Sequence, residues 1–536
     1  MMMREATSTM GPTAGRSPGK SGFIAATLYF LAGALILCAA AFWNGQPFLY
    51  PDTPTYVRGA EMGAAKLVGQ GRLPTWLPGE GQQDAGAPAT LPPRQLAPVT
   101  SLDQKVVLAG RSVYYGALVY LGFLTGGLWL TVLVQAAMVV GLLYLLLRRV
   151  WGLGRGACLA IVAALAVVSP LGLYTGLLMP DLFAGLAILC FGLLCVYWDR
   201  LTRGERWAVG GLLLFGLVAH TSHVAVAAGL LVLALAARLM RRWRALPLAG
   251  LVAVAVCLLG AVAAEKAFDF AVQKVVGAPP LRLPHPMARL IDEGPGTTFL
   301  RSHCPDAGYA ACQFVGNYPT YWEDFLFSAD PAKGAFALAD PATKRRISDE
   351  QMRFLFDVLR DQPVAVLKGF ATDTLRQLTH FRVDVAGVST PQLRMYQGRV
   401  PPSVYAGLLA SRTLDAPGTD DVITVTTYAS VIAALLLAVA LAGRRLQGSA
   451  RAAGPALPQR FGEFASVVVA GILVNAVVCA TLASPLDRFQ SRVMWLLPLL
   501  ALAGVAFALQ ARRSGAAAPV APSFLSPTLQ GAPHDA

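Results

Sequence analysis

Uninterrupted apolar runs of about twenty residues, closed again and again by arginine, limit this chain more than any other feature. A helix rises 1.5 Å per residue, so about twenty apolar residues cover the hydrocarbon core of a bilayer. The sequence holds such runs at 22–43, 126–147, 157–174, 182–198, 245–263, 422–442, 464–483 and 493–509. Composition agrees: of 536 residues 55% are hydrophobic and only 14% charged, where soluble domains carry about a quarter. The predicted fold is an all-α polytopic membrane protein.

Arginine placement gives the topology, because short cytoplasmic loops hold an excess of Lys and Arg. Arg4, Arg16 and Lys20 precede the first run and put the N-terminus inside. Residues 207–240 are too long for one crossing and have arginine on both flanks, Arg203 and Arg206 before, Arg241, Arg242 and Arg244 after. Both ends then belong inside, so this stretch is a hairpin turning outside at His220-Thr221-Ser222-His223. The count is ten crossings with both termini inside. The formal charge of +14 is spread through these loops rather than gathered in one patch, which argues against nucleic acid as a partner.

The chain divides into a tail (1–21), a seven-crossing module (22–264) with a long first outside loop (44–111), a soluble segment (265–421), three further crossings (422–513) and a second tail (514–536). Residues 111–124, with Tyr114, Tyr115 and Tyr120, read as a helix lying at the interface. The middle of the first loop, 79–93, reads as irregular. The soluble segment reads as mainly helical, with Ser348-Asp349-Glu350-Gln351 as a capping box starting one helix and Pro363 starting the next. Trp322, Phe325 and Phe327 read as its core. Cys304 and Cys312 lie outside every apolar run and would pair as a disulfide in an oxidising compartment.

On this topology the outer ends of the crossings collect ionisable side chains, which are costly at membrane depth and mark functional sites. Asp52 lies between two prolines in Tyr50-Pro51-Asp52-Thr53-Pro54-Thr55-Tyr56-Val57-Arg58, directly after the first crossing. Arg111 precedes the second, Asp181 opens the fourth, and His220 and His223 turn the fifth into the sixth. Asp487, Arg488, Gln490 and Arg492 precede the tenth, where the two arginines break the positive-inside bias. Carboxylates beside fixed cations suit an anionic ligand plus general-base chemistry. Plain structural roles stand beside this reading: Asp52 and Asp181 as helix caps, the histidines as partners of broken-helix backbone, the arginines as headgroup anchors. Two histidines without a third ligand are a weak metal signal. No Walker A, dinucleotide-binding, GxSxG or HExxH pattern stands in a credible context.

This arrangement resembles the GT-C fold glycosyltransferases, integral membrane enzymes that use lipid-linked sugar donors. The likeness rests on the seven-helix module with its long first outside loop, the soluble segment after the seventh crossing, Asp52 just beyond the first helix and, more loosely, Pro180-Asp181. The resemblance implies a bacterial inner-membrane enzyme with a periplasmic active face, a polyprenyl-phosphate sugar donor and a lipid, glycan or protein acceptor. Asp52 and Asp181 would be the catalytic carboxylates, with Asp52 the general base. Arg58, Arg111, Arg488 and Arg492 would hold the donor phosphate, and Tyr56, His220, His223, Asp487 and Gln490 would assist. A paired Asp-X-Asp or Asp-Asp motif is absent, so no cofactor follows and a divalent metal stays open. The competing readings are a transporter or flippase for an amphipathic lipid or sugar, and an inactive scaffold of the same fold.

Overall fold

The computed structural model describes residues 20–69, 71–77, 105–240, 246–416, 418–446 and 457–516. The expected irregular stretch 79–93, nearly all of both tails, and the basic residues Arg4, Arg16, Arg241, Arg242 and Arg244 lie outside them. The described residues are almost wholly helical, with no strand beyond three isolated bridge pairs.

The membrane module comprises α1 (Lys20–Asn44), α2 (Thr53–Val68), α3 (Val113–Gly126), α4 (Leu128–Tyr144), α5 (Arg155–Val168), α6 (Leu171–Gly176), α7 (Leu182–Tyr197), α8 (Arg203–Ala219), α9 (Thr221–Leu239) and α10 (Leu248–Val276). Next come α11 (His285–Asp292), α12 (Pro295–His303), α13 (Trp322–Phe327), α14 (Pro341–Asp361), α15 (Pro363–Thr379), α16 (Thr390–Leu393) and α17 (Pro402–Leu409). Helices α18 (Gly418–Leu446), α19 (Phe461–Leu482), α20 (Asp487–Met494) and α21 (Leu496–Ala516) complete the chain.

Eight helical stretches among the described residues are long and apolar enough to cross a membrane. The other two expected crossings fall on α5 with α6, and on α8. Helix α5 has 14 residues and ends at Ser169-Pro170, where proline breaks the run before α6; α8 has 17. Helix α7 is the centre of the bundle, buried along its whole length. Asp181 stands at its N-cap position, so this end of the enclosed helix opens directly onto the ionisable cluster.

Two cores form. Residues between Met287 and Val366 make one of their own, which includes Trp322 and Phe325, while Cys304 and Cys312 join in a disulfide at its edge. Residues from Phe381 to Leu408, expected in the same soluble unit, instead share the core of the membrane bundle. The helix expected to start at Ser348 begins earlier. Asp340 caps α14 by accepting hydrogen bonds from the Ala342 and Thr343 amides, with Pro341 at the first helical position. Ser348 lies inside that helix and spends its hydroxyl on the backbone of Arg282.

One close approach depends on glycine. A Cβ on Gly116 of α3 would stand 2.0 Å from the Tyr56 carbonyl oxygen of α2. Only glycine lets the two helices meet there, and that contact holds Asp52, four residues upstream of Tyr56, against Arg111 at the entrance to α3.

Candidate active site on the outer face

Backbone pairing brings the two carboxylates together. The Phe48 amide donates to the Gly176 carbonyl (3.0 Å) and the Leu178 amide to the Phe48 carbonyl (2.9 Å). Thr53 adds a third tie: its hydroxyl accepts from the Tyr50 amide and donates to the Leu178 carbonyl at 3.0 Å. Gln135 of α4 fixes the other strand of this junction by donating to the carbonyls of Thr175 and Leu177, and it accepts from the Tyr115 hydroxyl. The stretch around Asp52 is therefore stitched to the approach to Asp181.

Neither aspartate is spent on capping. Asp52 stands at the N-terminus of α2 and Asp181 at that of α7, yet neither side chain accepts a cap hydrogen bond. Asp52 Oδ2 instead meets Arg111 Nη2 at 2.7 Å, with both side chains about a quarter exposed. Burial works against the Asp52 charge, but Arg111, Arg488 and Arg399 outweigh it and hold the carboxyl below its ordinary range. Arg111 responds in kind: burial opposes its charge, Asp52 overcomes that, and its pKa moves up.

A depressed carboxylate pKa favours the folded, ionised state above the unfolded value of about 3.9, and that contribution disappears as pH falls through the folded value. An activity that needs ionised Asp52 should thus persist to unusually low pH. Arg111→Gln removes the largest charge opposing burial, so the acid limb of the pH–rate profile should move upward. The profile of kcat measured on both proteins checks this; coincident limbs would remove Arg111 from control of Asp52.

Asp181 has a different setting. Its Oδ1 lies 3.5 Å from Arg492 Nη1 and 3.7 Å from Arg488 Nε. These separations are close enough for charge pairing and too long for good hydrogen bonds. Among the described residues Asp181 Oδ1, Arg488 Nε and Nη1, and Arg492 Nε are buried without a hydrogen-bond partner. Each such group forfeits about 1–3 kcal/mol, more when charged. Arg492 uses its remaining donor on Ser222 Oγ (3.1 Å), Asn475 Oδ1 (3.2 Å) and Cys479 Sγ (3.4 Å). Tyr50 joins the two halves: Arg488 lies over its ring at 4.1 Å, and its phenol feels the charges of Arg488, Asp52 and Asp181. The result is a buried bicationic patch with unspent donors beside a carboxyl group.

Neither a family model nor a curated protein matches the chain. Among solved structures, the apo crystal structure of ArnT from Cupriavidus metallidurans is similar over 91% of this chain and 78% of that one, with 13% identity and a TM-score of 0.30.

The remaining expected residues divide. Tyr56 is buried edge-on to Tyr115 beside the Asp52–Arg111 pair. His220 serves structure, its Nδ1 capping α9 at the Ser222 amide. His223 gives Nδ1–H to the Gly216 carbonyl at 2.7 Å, and its Nε2 is buried without a hydrogen-bond partner. Gln490 is consumed in packing, with Asn475 as its partner at 3.0 Å, and Asp487 accepts from the Arg382 amide. Both were expected to assist; Gln490 ties α20 to α19, and Asp487 ties α20 to the stretch after α15. Arg58 is exposed on α2, near Arg399 rather than in the buried cluster. No group of three or more His, Cys, Asp or Glu suited to a metal ion occurs among the described residues.

Three neighbours were not foreseen. Arg399 donates to Thr55 Oγ1 at 3.1 Å and is held through its own carbonyl by the Trp76 indole at 2.8 Å. His285 is close enough to Arg111 and Asp52 to feel both charges; burial and Arg111 push its pKa down to about 4, so it is neutral at physiological pH. Burial raises the Asp384 carboxyl, which Arg488 opposes. All three lie more than 230 residues from Asp52 in sequence, and no local pattern ties them to it.

Next to the arginines, α7, α9 and α19 leave a narrow apolar crevice between them, partly open to its surroundings. Phe191, Val226 and Leu230 line it, and His223 and Asn475 stand at its polar end. Asn475 also binds Arg492, so the crevice leads from the apolar bundle to the bicationic patch.

Proposed function

We propose that this protein is a GT-C-type membrane glycosyltransferase that moves a sugar from a polyprenyl-phosphate donor to an acceptor hydroxyl on its outer face. The observation that carries the reading is the set of unspent, buried guanidinium donors on Arg488 and Arg492 next to an apolar crevice and beside Asp52. A phosphate with a long hydrocarbon tail suits both halves: its oxygens take the free N–H groups and its tail lies along the apolar helix surfaces at the crevice. A soluble anion would have no use for the crevice.

In the transfer, Asp52 Oδ1 accepts the acceptor's O–H proton while Oδ2 stays paired with Arg111. The acceptor oxygen forms the new bond to the anomeric carbon as the bond to the donor phosphate breaks. Polyprenyl phosphate leaves with the electron pair, and Arg488 and Arg492 stabilise its developing charge. Asp181 holds the two arginines in place between turnovers, when no phosphate neutralises them. The compartment is the periplasmic side of a bacterial inner membrane, in line with the arginine-biased topology.

Binding alone tests the donor half. Polyprenyl phosphate should raise the unfolding temperature of the purified full-length protein, and Arg492→Gln should abolish that shift. Equal stabilisation of both proteins would remove Arg492 from the phosphate site, while stabilisation by short-chain alkyl phosphate alone would remove the crevice from the account.

A further inference from the structure

Helix α15 departs from what its sequence suggests for a soluble domain. It packs along α19, a membrane span, and meets α20 at its far end. Two sets of hydrogen bonds pin it there. Gln377 donates to the Leu486 carbonyl at 2.7 Å and accepts from the Leu486 amide at 3.0 Å, just beyond the end of α19. Immediately past α15, the Tyr428 hydroxyl of α18 bonds the Thr379 carbonyl (2.9 Å) and the Phe381 amide (3.0 Å), and the two rings stack at 3.9 Å. Tyr428 lies two turns inside α18 from Asp420 and Asp421, within its apolar span. The C-terminal end of the helix is thus held between two candidate spans, just beyond the end of α19.

Its outward surface is not that of a water-facing helix. Val364 is 78% exposed, Leu367 57% and Leu375 66%. With Ala371, also exposed, these positions fall within one narrow arc at 100° per residue. Lys368 and Arg376 are exposed along one edge of that arc, while the opposite face is buried through Val366, Asp373 and Gln377. Its packing partner α19 also exposes apolar side chains, Val469, Leu473, Val477 and Leu482. Seventeen residues span about 25 Å, and Lys368, Asp373 and Arg376 interrupt the apolar pattern, so the helix is suited to lie in an interface rather than cross it.

We propose that α15 is a monotopic membrane helix. Val364, Leu367, Ala371 and Leu375 enter the acyl region of the leaflet on the side of the 265–421 segment. Lys368 and Arg376 reach anionic headgroup phosphates along the edge. The occupant is lipid because the helix packs against a candidate membrane span that itself exposes apolar side chains, and its charged edge is cationic. This contact anchors the segment bearing His285, Asp384 and Arg399 to the membrane, at a fixed height over the bundle, and it does not depend on which ligand the outer face takes.

The test uses the full chain in vesicles of phosphatidylethanolamine and phosphatidylglycerol. Spin labels are placed one at a time through Val364→Cys, Leu367→Cys and Leu375→Cys, with Lys333→Cys as a reference on an exposed residue of the separate core. The unmodified chain serves as the blank for its own free cysteines. Labels on α15 should collide more often with oxygen than with a water-soluble nickel chelate, with the ratio reversed at Lys333→Cys. A ratio on α15 matching the Lys333→Cys reference would overturn the proposal in favour of a water-facing helix. Dipolar broadening between labels, with both collision rates low, would overturn it in favour of contact with a second copy.

Discussion

Asp52→Asn should lower sugar transfer by about 10²–10⁴-fold, the range for loss of a positioned general base, while the protein still inserts and purifies. Asparagine matches the shape of aspartate and keeps an acceptor oxygen near Arg111, but it cannot take a proton. Donor binding should survive, because the phosphate site proposed at Arg488 and Arg492 is a separate set of side chains. Rate and affinity therefore come apart: kcat falls and the stabilising effect of polyprenyl phosphate stays. If both fell together, Asp52 would be a structural partner of Arg111, and if neither changed, the base would lie elsewhere. Steady-state transfer with matched thermal-shift titrations distinguishes the three results.

Asp181→Ala should act on stability first. Asp181 is 2% exposed and faces two buried arginines. Removing one partner of a buried ion pair typically costs about 3–5 kcal/mol, because the remaining charge stays desolvated. Here two guanidinium groups lose their shared counter-ion. The expected result is a marked fall in unfolding temperature, recovered in part by added polyprenyl phosphate, whose charge replaces the carboxylate. The size of the recovery is the informative element: the lipid phosphate should raise the unfolding temperature of Asp181→Ala by more than that of the unmodified protein, whereas a simple packing defect would leave the two shifts equal. Thermal unfolding of the full-length protein, with and without the lipid phosphate, measures it.

Much of the fold was legible because membrane helices announce themselves locally. Apolar runs mark the spans, arginine marks their ends, and the helix break at His220 follows from run length and the arginines on both flanks. The core of the site was legible for a related reason: Asp52, Arg111, Asp181, Arg488 and Arg492 each stand out as ions at the edge of apolar sequence. What stayed hidden depends on contacts between distant residues. Arg399, Asp384 and His285 lie in polar sequence, where an ion is unremarkable, and only packing of Phe381–Leu408 into the bundle core brings that part near Asp52. Gln490 and Asp487 carry the same local signal as Arg488, and nothing in the sequence distinguishes the side chains that face the site from those that tie α20 to α19 or to Arg382. The start of α14 was misplaced because Ser348 and Gln351 imitate a cap, while Asp340-Pro341 supplies the actual one. Helix α15 was read as part of a soluble domain because its charges mask a stripe that matters only beside α19.

The most direct measurement follows a labelled polyprenyl-monophosphate sugar with the purified full-length protein in proteoliposomes, recording bond cleavage and lipid position separately. The account predicts release of polyprenyl phosphate, with the sugar moved to an acceptor or to water, and loss of that release in Asp52→Asn. Movement of the intact sugar lipid across the bilayer without cleavage would contradict it and identify a transporter.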